Sequence, residues 1–202
     1  MTDIVIIDYG LGNLRSVTRG LEHAGAEVTI SSDPAAMHRA DAVVLPGVGA
    51  FQDAMLNLAP LTSDVLDVAA TGKPMLGICL GMQMLLTRSE EGGMTDGLGM
   101  VPGNVVRFPS SVGKVPHMGW NSLNIKSDHP LFRNIPRDTY VYFVHSYFAD
   151  CAPEYVLASC GYGIEFAAAV VNKAGNVMGT QFHPEKSGEQ GLKMLENFVG
   201  MC

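Results

Sequence analysis

The chain has 202 residues, 47% hydrophobic and 16% charged, with a formal net charge of −7. A chain of that size hides about 70% of its unfolded surface, so a full core needs no disulfide or metal staple, and one domain over residues 1–202 is expected. With 13 Lys and Arg against 20 Asp and Glu and no basic run, nucleic acid is disfavoured, because phosphates call for clustered cations.

The opening MTDIVIIDYG is too short in its apolar core for an export signal, and Asp3 and Asp8 bracket it. No apolar run approaches the roughly 20 residues of a membrane span. A cytoplasmic location is expected. The four cysteines, Cys79, Cys151, Cys160 and Cys202, form no CxxC pair and no zinc-knuckle spacing. That usage suits a reducing compartment, where a thiol stays free to react.

In chain order, DIVIID (3–8) predicts a buried strand. Leu14, Val17, Leu21 and Ala24 then recur at helical spacing, with Gly25 as the stop. AEVTIS and DAVVLP (41–46) predict the second and third strands. Helical patterns follow over 51–58 and 61–70. KPMLGIC predicts a fourth strand, and LGMQMLLTR the helix after it. Strand and helix in alternation imply a parallel sheet covered by helices.

From about Gly99 the pattern becomes strand after strand: GNVVRF, WNSLNIK, TYVYFVHSYF, YVLASC and IEFAAAVV. A hairpin turn is expected over 172–176, and GLKMLENFVGM reads as a closing amphipathic helix. The expected fold is α/β: a mostly parallel central sheet covered by helices on both faces, with an antiparallel extension from the second half. Cys79 then falls at the carboxyl end of a central strand, where open α/β sheets form their ligand crevices.

Cys79 sits in GICLG between a strand and a helix, the shape of a nucleophile elbow with sulfur in place of oxygen. Gly77 and Gly81 relieve a turn too sharp for flanking side chains, and the helix start favours thiolate. The amide of Leu80 is then aimed at an oxyanion. The alternative is a buried cysteine in a glycine-containing turn. A base is available in QFHPEKS: Pro184 biases His183 to an extended conformation. In an extended segment His183 and Glu185 face one side, so the carboxylate can orient the imidazole. In LPGVGAF (45–51) two glycines leave amides free to approach a ligand, a second oxyanion donor or an ordinary strand-to-helix turn.

Other signals fail. YGLGNLR has Arg15 where a dinucleotide fingerprint needs its third glycine, and Asp33 precedes a proline in what reads as a loop. His23, His38, His117, His129 and His145 show no ligand spacing, so no metal is expected. Met75, Met82, Met84 and Met94 read as core filler.

Taken together and in order, PGVGAF, GICLGMQ and QFHPEKS resemble the class I, triad-type glutamine amidotransferases over essentially the whole chain. IDYGLGNLRSV, PGVG, PHMGWN (116–121) and YFVHSY (142–147) narrow the likeness to the subfamily that serves imidazole glycerol phosphate synthase. The resemblance implies catalytic Cys79, His183 and Glu185, with an oxyanion hole from Gly47 or Val48 and Leu80. It implies that Gln83, Glu91 and the backbone of His145, Ser146 and Tyr147 hold glutamine. It also implies a separate (β/α)₈ cyclase subunit as partner, met by Asn13, Trp120, Tyr142 and Lys186. No cofactor is implied. Trp120 as a core residue and Lys186 as a solvated one are the competing readings.

Overall fold

Strand β1 (Asp3–Ile7) shows how the sheet is covered. Ile4 and Ile6 enter one apolar core while Val5 and Ile7 enter another, because successive strand side chains point to opposite faces. The computed structural model describes residues 1–202.

Helix α1 (Leu14–His23), β2 (Glu27–Ser31), α2 (Pro34–Arg39), β3 (Ala42–Leu45), α3 (Phe51–Leu58), α4 (Thr62–Ala70), β4 (Met75–Ile78) and α5 (Leu80–Met84) follow. Strands β5 (Leu86–Ser89), β6 (Thr95–Asp96), β7 (Val101–Arg107), β8 (His117–Ile125), β9 (Tyr140–His145) and β10 (Tyr147–Asp150) come next. The chain ends with β11 (Val156–Gly161), β12 (Glu165–Val171), β13 (Val177–Thr180) and α6 (Gly188–Val199).

Strands β2, β1, β3, β4 and β13 lie side by side, all pairs parallel. Helices α1 and α6 cover one face through Val17, Leu21, Met194, Leu195 and Phe198. The other face is covered by Met37 of α2, Phe51 and Leu58 of α3, and Val65 and Val68 of α4. Each such side chain contributes about 1.5–3 kcal/mol of burial. The sheet continues antiparallel through β12, as expected. Along one edge of β12 lie β13 and β10, and along the other lies β11, which leads through β8 to β9. The β12–β13 turn closes on Asn172, whose carbonyl accepts from Gly175 N–H at 3.1 Å. No helix is long and apolar enough to cross a membrane.

The structure departs from the expected elements in four places. The helix expected over LGMQMLLTR stops at Met84, because the carbonyls of Met84 and Leu85 accept from Leu98 and Val101 N–H at 2.8 and 3.0 Å. A continuing helix needs those carbonyls for residues 88 and 89; instead Leu86–Ser89 is a strand beside β7. Residues 34–39 form a helix where the sequence reading assigns no element, and Asp33, read as loop, stays outside it. Asp33 caps them, its side chain accepting from Ala35 N–H at 3.0 Å, with Pro34 in the first turn. TYVYFVHSYF is two strands broken at Ser146, one joining β8 and the other β7. Met94 is 68% exposed, whereas Met75, Met82 and Met84 are core.

Candidate active site

Cys79 caps α5 with φ 55° and ψ −109°, a left-handed conformation that costs a non-glycine residue about 1–3 kcal/mol. Its amide donates to Thr180 O at 2.7 Å, extending the β4–β13 register into the turn. The flanking glycines are required by contact. A Cβ on Gly77 meets Gly81 O at 2.7 Å, and one on Gly81 overlaps the Leu45 carbonyl oxygen. A Cβ on Gly47 meets Leu80 Cβ at 2.7 Å, so the PGVG segment lies directly against the elbow. Tyr9 anchors the start of that segment, its hydroxyl donating to Pro46 O at 2.6 Å. Burial, with the Cys79 charge nearby, pushes the Tyr9 phenol well above its usual range, so it stays a donor.

The elbow opens into a cavity of about 410 Å³. Of the expected residues, Val48, Leu80, Gln83, Glu91, His145, Ser146, Tyr147 and His183 line it with Cys79; Gly49, Pro116 and Val144 complete the wall. Gly47 lies behind Leu80 and Glu185 behind His183. Glu91 Oε2 accepts from Phe51 N–H at 2.9 Å at the start of α3, leaving Oε1 for a ligand. Gln83 Nε2 donates to Tyr147 O at 2.9 Å and to Gln181 Oε1 at 3.0 Å.

His183 follows β13 in an extended conformation (φ −97°, ψ 98°). The extended run goes no further: Pro184–Lys186 is a single 3₁₀ turn, so the His–Glu pair closes across a turn rather than along a strand. Its hydrogen bond joins Nδ1 to Glu185 Oε1 at 2.8 Å, with side chains 3% and 0% exposed. A carboxylate only accepts, so Nδ1 carries the proton and Nε2 is left for Cys79. Burial, the largest influence, pulls the imidazole down, but hydrogen bonds to Cys79 and Glu185 and their negative charges outweigh it and raise His183 to about 9. The backbone is clamped as well. His183 N–H donates to Tyr142 O at 3.0 Å, Ser187 Oγ donates to His183 O at 2.6 Å, and Tyr142 N–H donates to Ser187 Oγ at 3.0 Å.

His145 is a different histidine. Burial first, then the charges of His117 and His183, push it down to about 3 against a bond to Tyr147 O. Neutral, it donates from Nδ1 to that carbonyl at 2.9 Å and turns Nε2 to His117 Nδ1 at 3.1 Å. Its ring thereby fixes the bend between β9 and β10 at the cavity wall.

Trp120 and Tyr142 face each other across β8 and β9, ring centroids 6.1 Å apart, and Trp120 is 51% exposed, not core. Lys186 is exposed beside the histidine turn, and Asn13 begins α1, which packs on that turn. The sequence reading missed Tyr9, Gln181 and Ser187 as supports; the last two lie inside the quoted QFHPEKS, but no local pattern tells a supporting side chain from a bystander.

A strained cysteine before a helix, a histidine–glutamate pair beside it and a parallel sheet beneath define a triad-type amidotransferase arrangement. The family model for glutamine amidotransferase class-I matches residues 5–201, and the chain belongs to that family. Over its full 202 residues it is 63% identical to imidazole glycerol phosphate synthase subunit HisH of Methanosarcina mazei, covering 100% of both chains. It is 61% identical to the protein of that name from Methanosarcina barkeri, again over 100% of both. A solved structure of PurLQS from Thermotoga maritima shares the fold, with TM-score 0.79 and 20% identity over 99% of this chain and 98% of that one.

Proposed function

We propose that this chain is the glutaminase subunit of an imidazole glycerol phosphate synthase in histidine biosynthesis, a single domain acting in the cytoplasm. The observation that carries the chemistry is the 2.8 Å bond between His183 Nδ1 and Glu185 Oε1, which commits the other ring nitrogen to Cys79. Full-length similarity to HisH subunits supports the pathway.

Glutamine binds with its α-ammonium toward Glu91 Oε1 and its side chain between Gln83 and the 145–147 backbone. Cys79 reacts as a thiolate beside the His183 imidazolium. Its sulfur adds to the side-chain carbonyl carbon, and the oxygen gains negative charge. The Leu80 N–H, free because first-turn amides lack a helical acceptor, and an N–H of the Gly47–Val48 segment take up that charge. His183 passes its Nε2 proton to the departing nitrogen, the C–N bond breaks, and ammonia leaves a glutamyl thioester. Water then adds as His183 takes its proton, and collapse releases glutamate and restores thiolate and imidazolium.

Ammonia loses its nucleophilicity on protonation in water, so it is passed directly to a separate (β/α)₈ cyclase subunit. The β8–β9 face supports that docking: Met118, Trp120 and Tyr140 are exposed there at 62%, 51% and 61%, beside Tyr142, Lys186 and Asn13. Apolar and aromatic anchors of this kind mark protein interfaces.

The test is Cys79→Ala assayed with the cyclase subunit and its nucleotide. Ammonia release vanishes while partner binding persists; full release by the variant removes the proposal. In the intact protein, turnover is low alone and rises strongly with partner and nucleotide, and equal turnover in both states refutes the coupling.

A further inference from the structure

Gln181 is 0% exposed and has no part in the cavity wall, yet its carboxamide nitrogen lies 3.7 Å from Cys79 Sγ. Hydrogen-bond accounting fixes which end of that amide faces the sulfur. The Tyr147 carbonyl only accepts, so Gln83 must turn its NH₂ toward it, at 2.9 Å. The same NH₂ lies 3.0 Å from the Gln181 carboxamide and can be met there only by oxygen. Gln181 Nε2 is left with one direction, toward Cys79. A fixed backbone carbonyl thus dictates, through two amides, that an N–H and not a carbonyl meets the sulfur.

The distinction matters chemically. An N–H donor stabilises the charged form of its acceptor, whereas a carbonyl oxygen disfavours it. The sulfur also has such a carbonyl beside it: Val144 O lies 3.9 Å from Sγ, the acceptor for an S–H. Gln181 is the neutral group that offsets it when the proton departs to His183.

We propose that Gln181 is a fourth catalytic residue, an uncharged donor that holds the Cys79 sulfur as thiolate from behind, oriented by Gln83 and anchored on Tyr147. The proposal rests on Cys79 being the nucleophile of the glutaminase reaction. Because Gln181 does not reach the cavity, its N–H acts on the reactivity of the sulfur and on kcat, while its oxygen, which holds Gln83 at the cavity wall, is the part that bears on the KM for glutamine.

The experiment alkylates the full chain with iodoacetamide across a pH series and follows the Cys79 peptide by mass spectrometry, which separates it from the other three cysteines. Gln181→Glu keeps an oxygen for Gln83 but turns a carboxylate oxygen to the sulfur; Gln181→Met removes the donor without adding charge. Loss of a hydrogen bond to a charged group slows Cys79 alkylation near neutral pH by about tenfold in the methionine variant and by more in the glutamate variant. The alkylation midpoint moves to higher pH in both, and kcat falls; KM stays within about twofold in the glutamate variant, which keeps the acceptor for Gln83.

Equal alkylation rates and midpoints in all three proteins overturn the proposal. Where a variant loses its cooperative thermal transition, the intact protein decides: the Gln181 side-chain amide resonance titrates in step with Cys79 alkylation, and a resonance flat across that range overturns the proposal. The two readings fail separately. Ammonia release by Cys79→Ala sinks the glutaminase reading whatever Gln181 does, while unchanged alkylation sinks Gln181 alone.

Discussion

Replacing Glu185 by Gln isolates what the carboxylate does for His183. In the intact site His183 titrates at about 9, against about 6.5 for the unfolded chain. A group raised in the folded state stabilises fully below its unfolded value and loses that contribution as pH climbs through its folded value. Here the window runs from about pH 6.5 to 9 and is worth about 3 kcal/mol. An opposite charge in contact accounts for about one to three units of such a shift. The glutamine variant therefore titrates at least about one unit lower, and part of the stability lost between pH 6.5 and 9 disappears from its profile. A second cost comes from Glu185 Oε2, which is buried without a hydrogen-bond partner. With Oε1 of the new glutamine accepting from His183, its NH₂ falls in that partnerless position, costing about 1–3 kcal/mol. The assay is denaturant unfolding at steps of pH together with glutaminase rates in the assembled enzyme. Turnover drops by about 10²–10⁴, and its alkaline limb moves to lower pH. An alkaline limb unchanged from the parent protein refutes the assignment of Glu185 as a group that, with Cys79, raises His183.

Cys79→Gly relieves the positive φ, so it is more stable than Cys79→Ala by about 1 kcal/mol while equally inactive; equal unfolding midpoints contradict the strain. Tyr9→Phe leaves Pro46 O without its donor, lowering stability by about 1–2 kcal/mol and slowing glutamine turnover through the adjoining PGVG segment; unchanged melting and turnover dismiss that anchor. Trp120→Ala weakens association with the cyclase subunit by at least about tenfold in calorimetric titration and leaves thermal stability of the isolated chain unaltered. An unaltered Kd moves the interface elsewhere.

Apart from α2, the strands and helices up to β4, the elbow and the histidine–glutamate pair were legible because each is written in local terms: period, capping glycine, a proline after the histidine. What was illegible is set by distant partners. Helix α5 ends where it does because Leu98 and Val101 claim its last carbonyls, and no window around residue 84 contains them. The break at Ser146 follows from β9 and β10 choosing different neighbours. The pair His183 and Glu185 was found for a reason that held only in part, since the backbone turns between them. Trp120 has the composition of a core residue and lies open because the face of β8 it occupies has no layer above it.

Tyr142 belongs to two worlds at once. Its ring stands against Trp120 at the open face, while its own amide and carbonyl grip the segment that carries His183. A push on that ring would pull on a tether one residue long, so a companion docked as proposed would be felt at the imidazole through backbone alone.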